Sequence, residues 1–321
     1  MSIILPDGLP ARWALKAEGL EAASRREAAC GPHQSSHSQR PLRVLLVNLM
    51  PDKPATERQI ARLLAGTPHA VDLTLAIPDG YRPKTADPAH IWAFYTPWRR
   101  LRGEAFDGLI VTGAPVETLA FEEVSYWREL TEIFDWAQDR VRRSLFICWA
   151  AQAALGHFHG VPKHGLAEKL SGVFRHRVHH PRHPLLRGFG GDFVVPISRR
   201  TEVRAEDLPM GAGLEILASS EEAGLCAVED RLKGAFYMFD HLEYEADTLA
   251  REYLRDLKAG GPVRLPRHYF PADDPARPPV NGWCAYGRLL FGNWLDVIRR
   301  ETGAAPEAGL WARLAGRWQV P

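Results

Sequence analysis

Apolar runs and amphipathic stretches alternate through the first half of the chain. Residues 42–50, LRVLLVNLM, are almost unbroken leucine and valine, which predicts a parallel strand buried on both faces. Residues 55–66, ATERQIARLLAG, put Ile60, Leu63 and Leu64 on one helical stripe, with Gly66 as a stop. A strand is predicted at 71–77 (VDLTLAI), a proline-rich surface loop at 78–98, and a strand ending in a turn at 106–115 (FDGLIVTGAP). Residues 125–144 repeat Trp127, Leu130, Ile133, Phe134, Ala137 and Val141 at three- to four-residue steps, the mark of a helix. SLFICWA (144–150) reads as the next strand and AAQAALGHF (150–158) as its helix. The second half is richer in strands, at 192–198, 214–220, 225–230 and 234–240, before a helix at 246–260. This order predicts an α/β fold, a mostly parallel sheet with helices on both faces. Residues 41–300 form one α/β domain in this reading, with an N-terminal arm at 1–40 and an amphipathic tail at 301–321.

Composition narrows the function classes. Forty Lys and Arg against 39 Asp and Glu leave no basic field to hold a nucleic-acid backbone or an anionic membrane. No run approaches the roughly 20 apolar residues of a membrane span, and the N-terminus lacks a basic lead before an apolar core. A soluble cytoplasmic protein is expected. The four cysteines, Cys30, Cys148, Cys226 and Cys284, are scattered, with no CxxC pair, so each is explained singly. His176, His179, His180 and His183 invite a metal, but Pro181 and Pro184 break any helix and no nearby acid completes a familiar ligand set. No metal and no tightly held cofactor are expected. The VTGAP turn lacks a phosphate-loop pattern.

Cys148 stands where a central strand gives way to a helix. Open α/β sheets bind ligands along that edge. There the helix dipole favours a thiolate and free N–H groups can hold an oxyanion. Cys148 reads either as a buried small residue or as a nucleophile. His241 and Glu243 follow another strand-like run. A Cys, His, Glu order suits an activated thiol, a base that takes its proton, and a carboxylate that orients the imidazole.

The blocks LLVNLMPDKPATERQ, FDGLIVTGAPVE, FEEVSYW, LFICWAAQAAL, EKLSGVF and the final H-x-E, in this order, resemble the homoserine O-acyltransferases of methionine biosynthesis. The resemblance implies a class I glutamine amidotransferase-like, flavodoxin-type fold and acyl transfer from acyl-CoA, as co-substrate, to a hydroxy-amino acid, with acetyl-CoA and L-homoserine preferred. It also implies a homodimer. Carried over residue by residue, it makes Cys148 the acyl-thioester nucleophile, His241 the general base and Glu243 its partner. It matches Lys169, Ser198 and Arg255 to substrate-binding positions, Lys53 to a lysine of undefined role, and Glu117 to a position bearing on acyl choice. The Trp149 N–H is the expected oxyanion donor. Succinyl-CoA, L-serine as acceptor, a glutamine amidotransferase-like hydrolase, and a binding protein without chemistry stay open. The family commonly has glycine before the histidine and proline after it. Here Asp240 and Leu242 flank His241, which predicts an altered backbone at that point. Asp52 likewise replaces a basic residue often found beside Lys53.

Overall fold

A computed structural model describes residues 2–30, 40–81, 86–260 and 263–302. The predicted C-terminal tail lies outside these residues from 303 onward.

The buried apolar run at the centre becomes β3 (Leu42–Val47), flanked by β4 (Val71–Ile77) and β6 (Phe106–Val111), with β7 (Val141–Ile147) beyond β6. All pair in parallel. The chain leaves β3 toward β4 and then returns to β3's other side as β6, so the strand order reverses between β3 and β6. Such a reversal opens a crevice at the carboxyl ends of the strands. β12 (Ala235–Met238) continues the parallel half beside β7. From there β11 (Gly224–Asp230), β10 (Leu214–Ser220), β8 (His164–Val178) and β9 (Asp192–Glu202) run antiparallel.

Helices cover both faces. α3 (Lys53–Ala65) packs against α8 (Cys284–Thr302), and α8 also lies on β6 and β7. α5 (Trp127–Arg140) and α6 (Trp149–His159) pack together and against β7. α8 sits so close to the sheet that a Cβ on Gly108 would come within 2.5 Å of the Trp294 ring. Among the described residues no helix is long and apolar enough to cross a membrane.

Several expectations change. Residues 1–40 are not a detached arm in their described part. They carry β1 (Ile3–Leu5), α1 (Pro10–Ala17), β2 (Ala22–Ser24) and α2 (Arg25–Cys30), and β1 extends the sheet beside β4. These strands are too short for period to register, and pairing satisfies their backbone, β1 with β4 and β2 with β1. Within the predicted loop, Asp87 accepts from Ala89 N at 2.9 Å and caps α4 (Pro88–Phe94), which is followed by β5 (Thr96–Pro97). The long β8 and the 19-residue α8 have no counterpart among the predicted elements. α7 (Thr248–Lys258) falls within its predicted span.

Candidate active site

The site assembles at the carboxyl ends of four neighbouring parallel strands. A cavity of about 260 Å³ is lined by Met50 and Pro51 after β3, Gly113 to Pro115 with Glu117 after β6, Cys148 after β7, and His241 and Tyr244 after β12. Lys169 of β8, Ser198 and Arg200 of β9, and Glu252, Arg255 and Asp256 of α7 close the other side. Cys148, His241, Glu117, Lys169, Ser198 and Arg255, each expected from the sequence, therefore meet at one place, and Lys53 does not join them. A wider depression of about 970 Å³ between the end of β9 and β10 shares none of these residues.

Cys148 is 6% exposed and adopts φ 53°, ψ −118° as the residue before α6. A non-glycine residue in that region is strained and persists only where its surroundings hold it. Its N–H is fixed to Met238 O at 2.7 Å, and its carbonyl accepts from Ala151 N at 3.0 Å. Gly113 makes room, since a Cβ there would lie 3.2 Å from the Cys148 Cβ. Cys148 thus stands at the N-terminus of α6, whose leading N–H groups, that of Trp149 first, have no acceptor one turn back.

His241 is 3% exposed. Its Nδ1 lies 2.6 Å from Glu243 Oε1. A carboxylate only accepts, so Nδ1 carries the hydrogen and Nε2 is left for Cys148, with which the ring is hydrogen-bonded. Burial opposes the imidazolium. The charges of Glu243 and Cys148, with hydrogen bonds to both, outweigh it and hold the imidazole well above its usual pKa. Tyr244 stacks on the ring, centroids 4.1 Å apart and planes 17° apart.

Glu252 is not singled out by the sequence, although it and Asp256 are one helical turn apart, the spacing that shares a face. It accepts from Tyr244 OH at 3.0 Å and from Ser198 Oγ, and lies 3.4 Å from Lys169 Nζ. Lys169 also donates to Asp256 at 2.8 Å. Arg255 pairs with Asp256 through Nε at 2.9 Å and Nη2 at 2.7 Å, and its side chain is 63% exposed. The sequence neighbour that could have absorbed Lys169 does not. Glu168 is taken by Arg264 at 2.6 Å. Glu117 Oε2 accepts from Arg200 N at 2.9 Å, and the Glu117 carbonyl accepts from Lys163. Burial raises the Glu117 pKa above the usual carboxylate value, against the Arg200 N–H and the charges of Lys169, Arg200 and His241.

Lys53 is fully buried and is not among the residues lining the cavity. Its Nζ donates to Asn48 O at 2.6 Å and stands 4.4 Å from the Tyr81 ring centroid. Burial lowers its pKa to about 7, against the charge of Glu57. It supports the segment that carries Met50 and Pro51. Asp52, where a basic residue was expected, caps α3 by accepting from Ala55 N at 3.1 Å.

The histidine-rich stretch needs a correction. No acid is near in sequence, but folding brings Glu215 and Glu229 to His183, donor atoms within 4.8 Å of one another. His183 Nδ1 accepts from Leu185 N at 3.3 Å, so Nε2 carries the hydrogen, 2.9 Å from Glu229. The nitrogen a metal would use is thereby occupied. A second group, His176, Cys226 and Asp240, is equally close, but the Arg199 guanidinium already pairs with Asp240 and would repel a cation.

The family model described as homoserine O-succinyltransferase matches residues 2–304. A Novosphingobium aromaticivorans protein named homoserine O-acetyltransferase is 53% identical over 302 residues, 94% of this chain and 97% of that protein. A Brucella canis protein of the same name is 47% identical over the same shares. Among solved structures, a protein from Thermoplasma acidophilum described as a GMP synthase component has TM-score 0.55 at 17% identity, covering 84% of this chain and 100% of its own. A glutamine amidotransferase from Thermotoga maritima has TM-score 0.52 at 12% identity, covering 81% and 99%. At such identities the likeness is one of fold, the class I glutamine amidotransferase type.

Proposed function

This chain belongs to the homoserine O-succinyltransferase family, a family of acyltransferases, and from that premise we propose that it transfers acetyl from acetyl-CoA to the hydroxyl of L-homoserine through an acyl-cysteine at Cys148. The observation that carries the mechanism is the strained, cavity-lining Cys148 hydrogen-bonded to an imidazole that Glu243 orients.

In the first half-reaction the Cys148 thiolate attacks the thioester carbonyl. The Trp149 N–H stabilises the oxyanion. The C–S bond to CoA breaks, and the departing CoA thiolate takes the proton of the His241 imidazolium. In the second, the homoserine hydroxyl attacks the acyl-cysteine and its proton passes to the now neutral His241. The C–S bond to Cys148 breaks and the thiolate–imidazolium pair returns.

The acceptor subsite follows from charge. Arg255 retains donors beyond those held by Asp256 and suits the α-carboxylate. Glu252 and Asp256 suit the α-ammonium, with Lys169 and Ser198 setting their positions. The donor choice rests on Glu117 and on the two relatives named homoserine O-acetyltransferase. Acetyl has no distal charge to meet this carboxyl, whereas succinyl ends in a carboxylate.

Intact-mass measurement tests the reading. Incubation with acetyl-CoA should add one acetyl group, lost on adding L-homoserine with formation of O-acetyl-L-homoserine. Cys148→Ala should do neither. Product formed by Cys148→Ala at the parent rate rules out the acyl-cysteine, and glutamine hydrolysis in place of acylation rules out the transferase.

A further inference from the structure

Directly behind His241 lies a closed polar cluster that the reaction does not use. Asp240 is 0% exposed and Arg199 2%. Arg199 donates through Nη1 to Asp240 Oδ1 and through Nη2 to Ala223 O. His176 Nε2 stands 3.2 Å from Asp240 Oδ2, and the Sγ of Cys226, also fully buried, lies within 4.8 Å of both groups. Paired charges so deep are a poor source of stability, because desolvation offsets most of their attraction. Their position in the chain suggests another use.

Side chains alternate along a strand. On β9, Ser198 and Arg200 face the cavity while Arg199, between them, points the other way into the cluster. Asp240 is the residue before His241. The ion pair therefore joins the strand presenting Ser198 and Arg200 to the turn presenting the imidazole. A backbone bond from His241 N to Pro196 O at 2.9 Å joins the same two segments. The turn itself follows β12, whose Met238 carbonyl holds Cys148 N.

We propose that the buried Arg199–Asp240 pair sets the position of the His241 imidazole relative to Cys148 and to the acceptor-binding face of β9, making both members positioning residues for acyl transfer. The pair does at this turn, by an ion pair across two segments, what backbone preference alone would do with other residues beside the histidine. This rests on the role proposed for His241, and its test is arranged so that the two fail differently.

Asp240→Asn leaves Arg199 buried without its counter-charge, so a loss of thermal stability is expected from that variant whatever its role. The informative protein is the double variant Arg199→Met/Asp240→Asn, which removes both charges and recovers most of the lost Tm. Single-turnover release of CoA from acetyl-CoA should be slowed roughly tenfold to a hundredfold, the cost of a displacement of about 1 Å at a reacting group. The donor KM should stay within about twofold. Cys226→Ser, in the same cluster but outside the ion pair, should keep the parent rate. Parent-rate acylation by the folded double variant overturns the proposal, as does an equal loss in Cys226→Ser, which would mark general packing. If His241→Ala acylates and turns over like the parent, the reading of the site itself has failed.

Discussion

At the scale of single residues, the site is defined by how each charge is committed. His241 gains its raised pKa despite burial, from the charges of Glu243 and Cys148. The sign follows: the imidazolium's favourable contacts contribute stability fully below the ordinary histidine value of about 6.5, and that contribution is lost as pH rises through the higher folded value. In protein carrying 15N-labelled histidine, the His241 resonances should titrate well above 6.5, and Cys148→Ala, which removes one of the two opposing charges, should move that titration downward. An unmoved titration would separate the two side chains. Glu117 acts differently, through a buried carboxyl that meets a backbone N–H and the distributed positive charge of Lys169, Arg200 and His241. A succinyl carboxylate about 4 Å away, at an effective dielectric near 20, would be opposed by roughly 4 kcal/mol when Glu117 is ionised. Glu117→Gly should therefore raise kcat/KM for succinyl-CoA relative to acetyl-CoA, by up to about three powers of ten. Comparing the two specificity constants in parent and variant checks it.

At the scale of elements, helix α8 reaches the site without touching the cavity. A Cβ on Gly287 would lie 2.6 Å from Leu242 O and 3.2 Å from Leu63 Cδ2. Backbone cannot swing aside as a side chain can, so Gly287→Ala must displace either α8 or the turn that carries His241. The expected cost is about 1–3 kcal/mol of stability, accompanied by a fall in kcat larger than the change in KM, because the displaced carbonyl belongs to the residue after the histidine. Thermal unfolding together with steady-state kinetics separates this from Gly108→Ala. There the obstacle is the Trp294 ring, far along α8 from the turn, and stability should suffer while the specific activity of the folded fraction is retained.

At the scale of the whole molecule, one ion-pair cluster joins three parts of the chain. Glu245, two residues beyond Glu243, accepts from Arg58 Nη2 at 2.7 Å and Arg62 Nη1 at 2.7 Å on α3. Arg62 also donates to Glu18 Oε1 at 2.6 Å, beyond α1. Burial opposes the charge on Glu245, but the two guanidinium groups outweigh it and lower its pKa to about 2. A depressed carboxylate stabilises the fold above its unfolded value and loses that contribution as pH falls through the folded one. Glu245→Gln should thus lower Tm at pH 7, and the gap to the parent should narrow as pH falls from about 4.5 toward 2. Sequence alone determined the features that depend on neighbours in the chain. The both-face-buried strand at 42–50, the amphipathic α3 and α5, the thiol at a strand-to-helix junction, and a histidine with its acid two residues on are all visible because periodicity and short spacing are local properties. The family resemblance added Lys169, Ser198, Arg255 and Glu117, and folding brings all four to one cavity. Arg255 pairs with its neighbour Asp256, but only the tertiary structure decided the partners of the other three. Lys169 and Glu252 are 83 residues apart, Arg199 and Asp240 41, and Glu117 and Arg200 83. No window of sequence weighs the distant partner of Lys169 against the nearer alternative, Glu168. The same holds for β1 and β2, which are three residues each and exist as strands only because the edge of β4 offers hydrogen bonds to β1, and β1 in turn to β2. It holds for Asp240, which beside a histidine reads as an intrusive charge until the fold buries Arg199 against it. Local pattern sets what an element is. Which groups meet across elements is set by packing, and in this protein that choice places the imidazole.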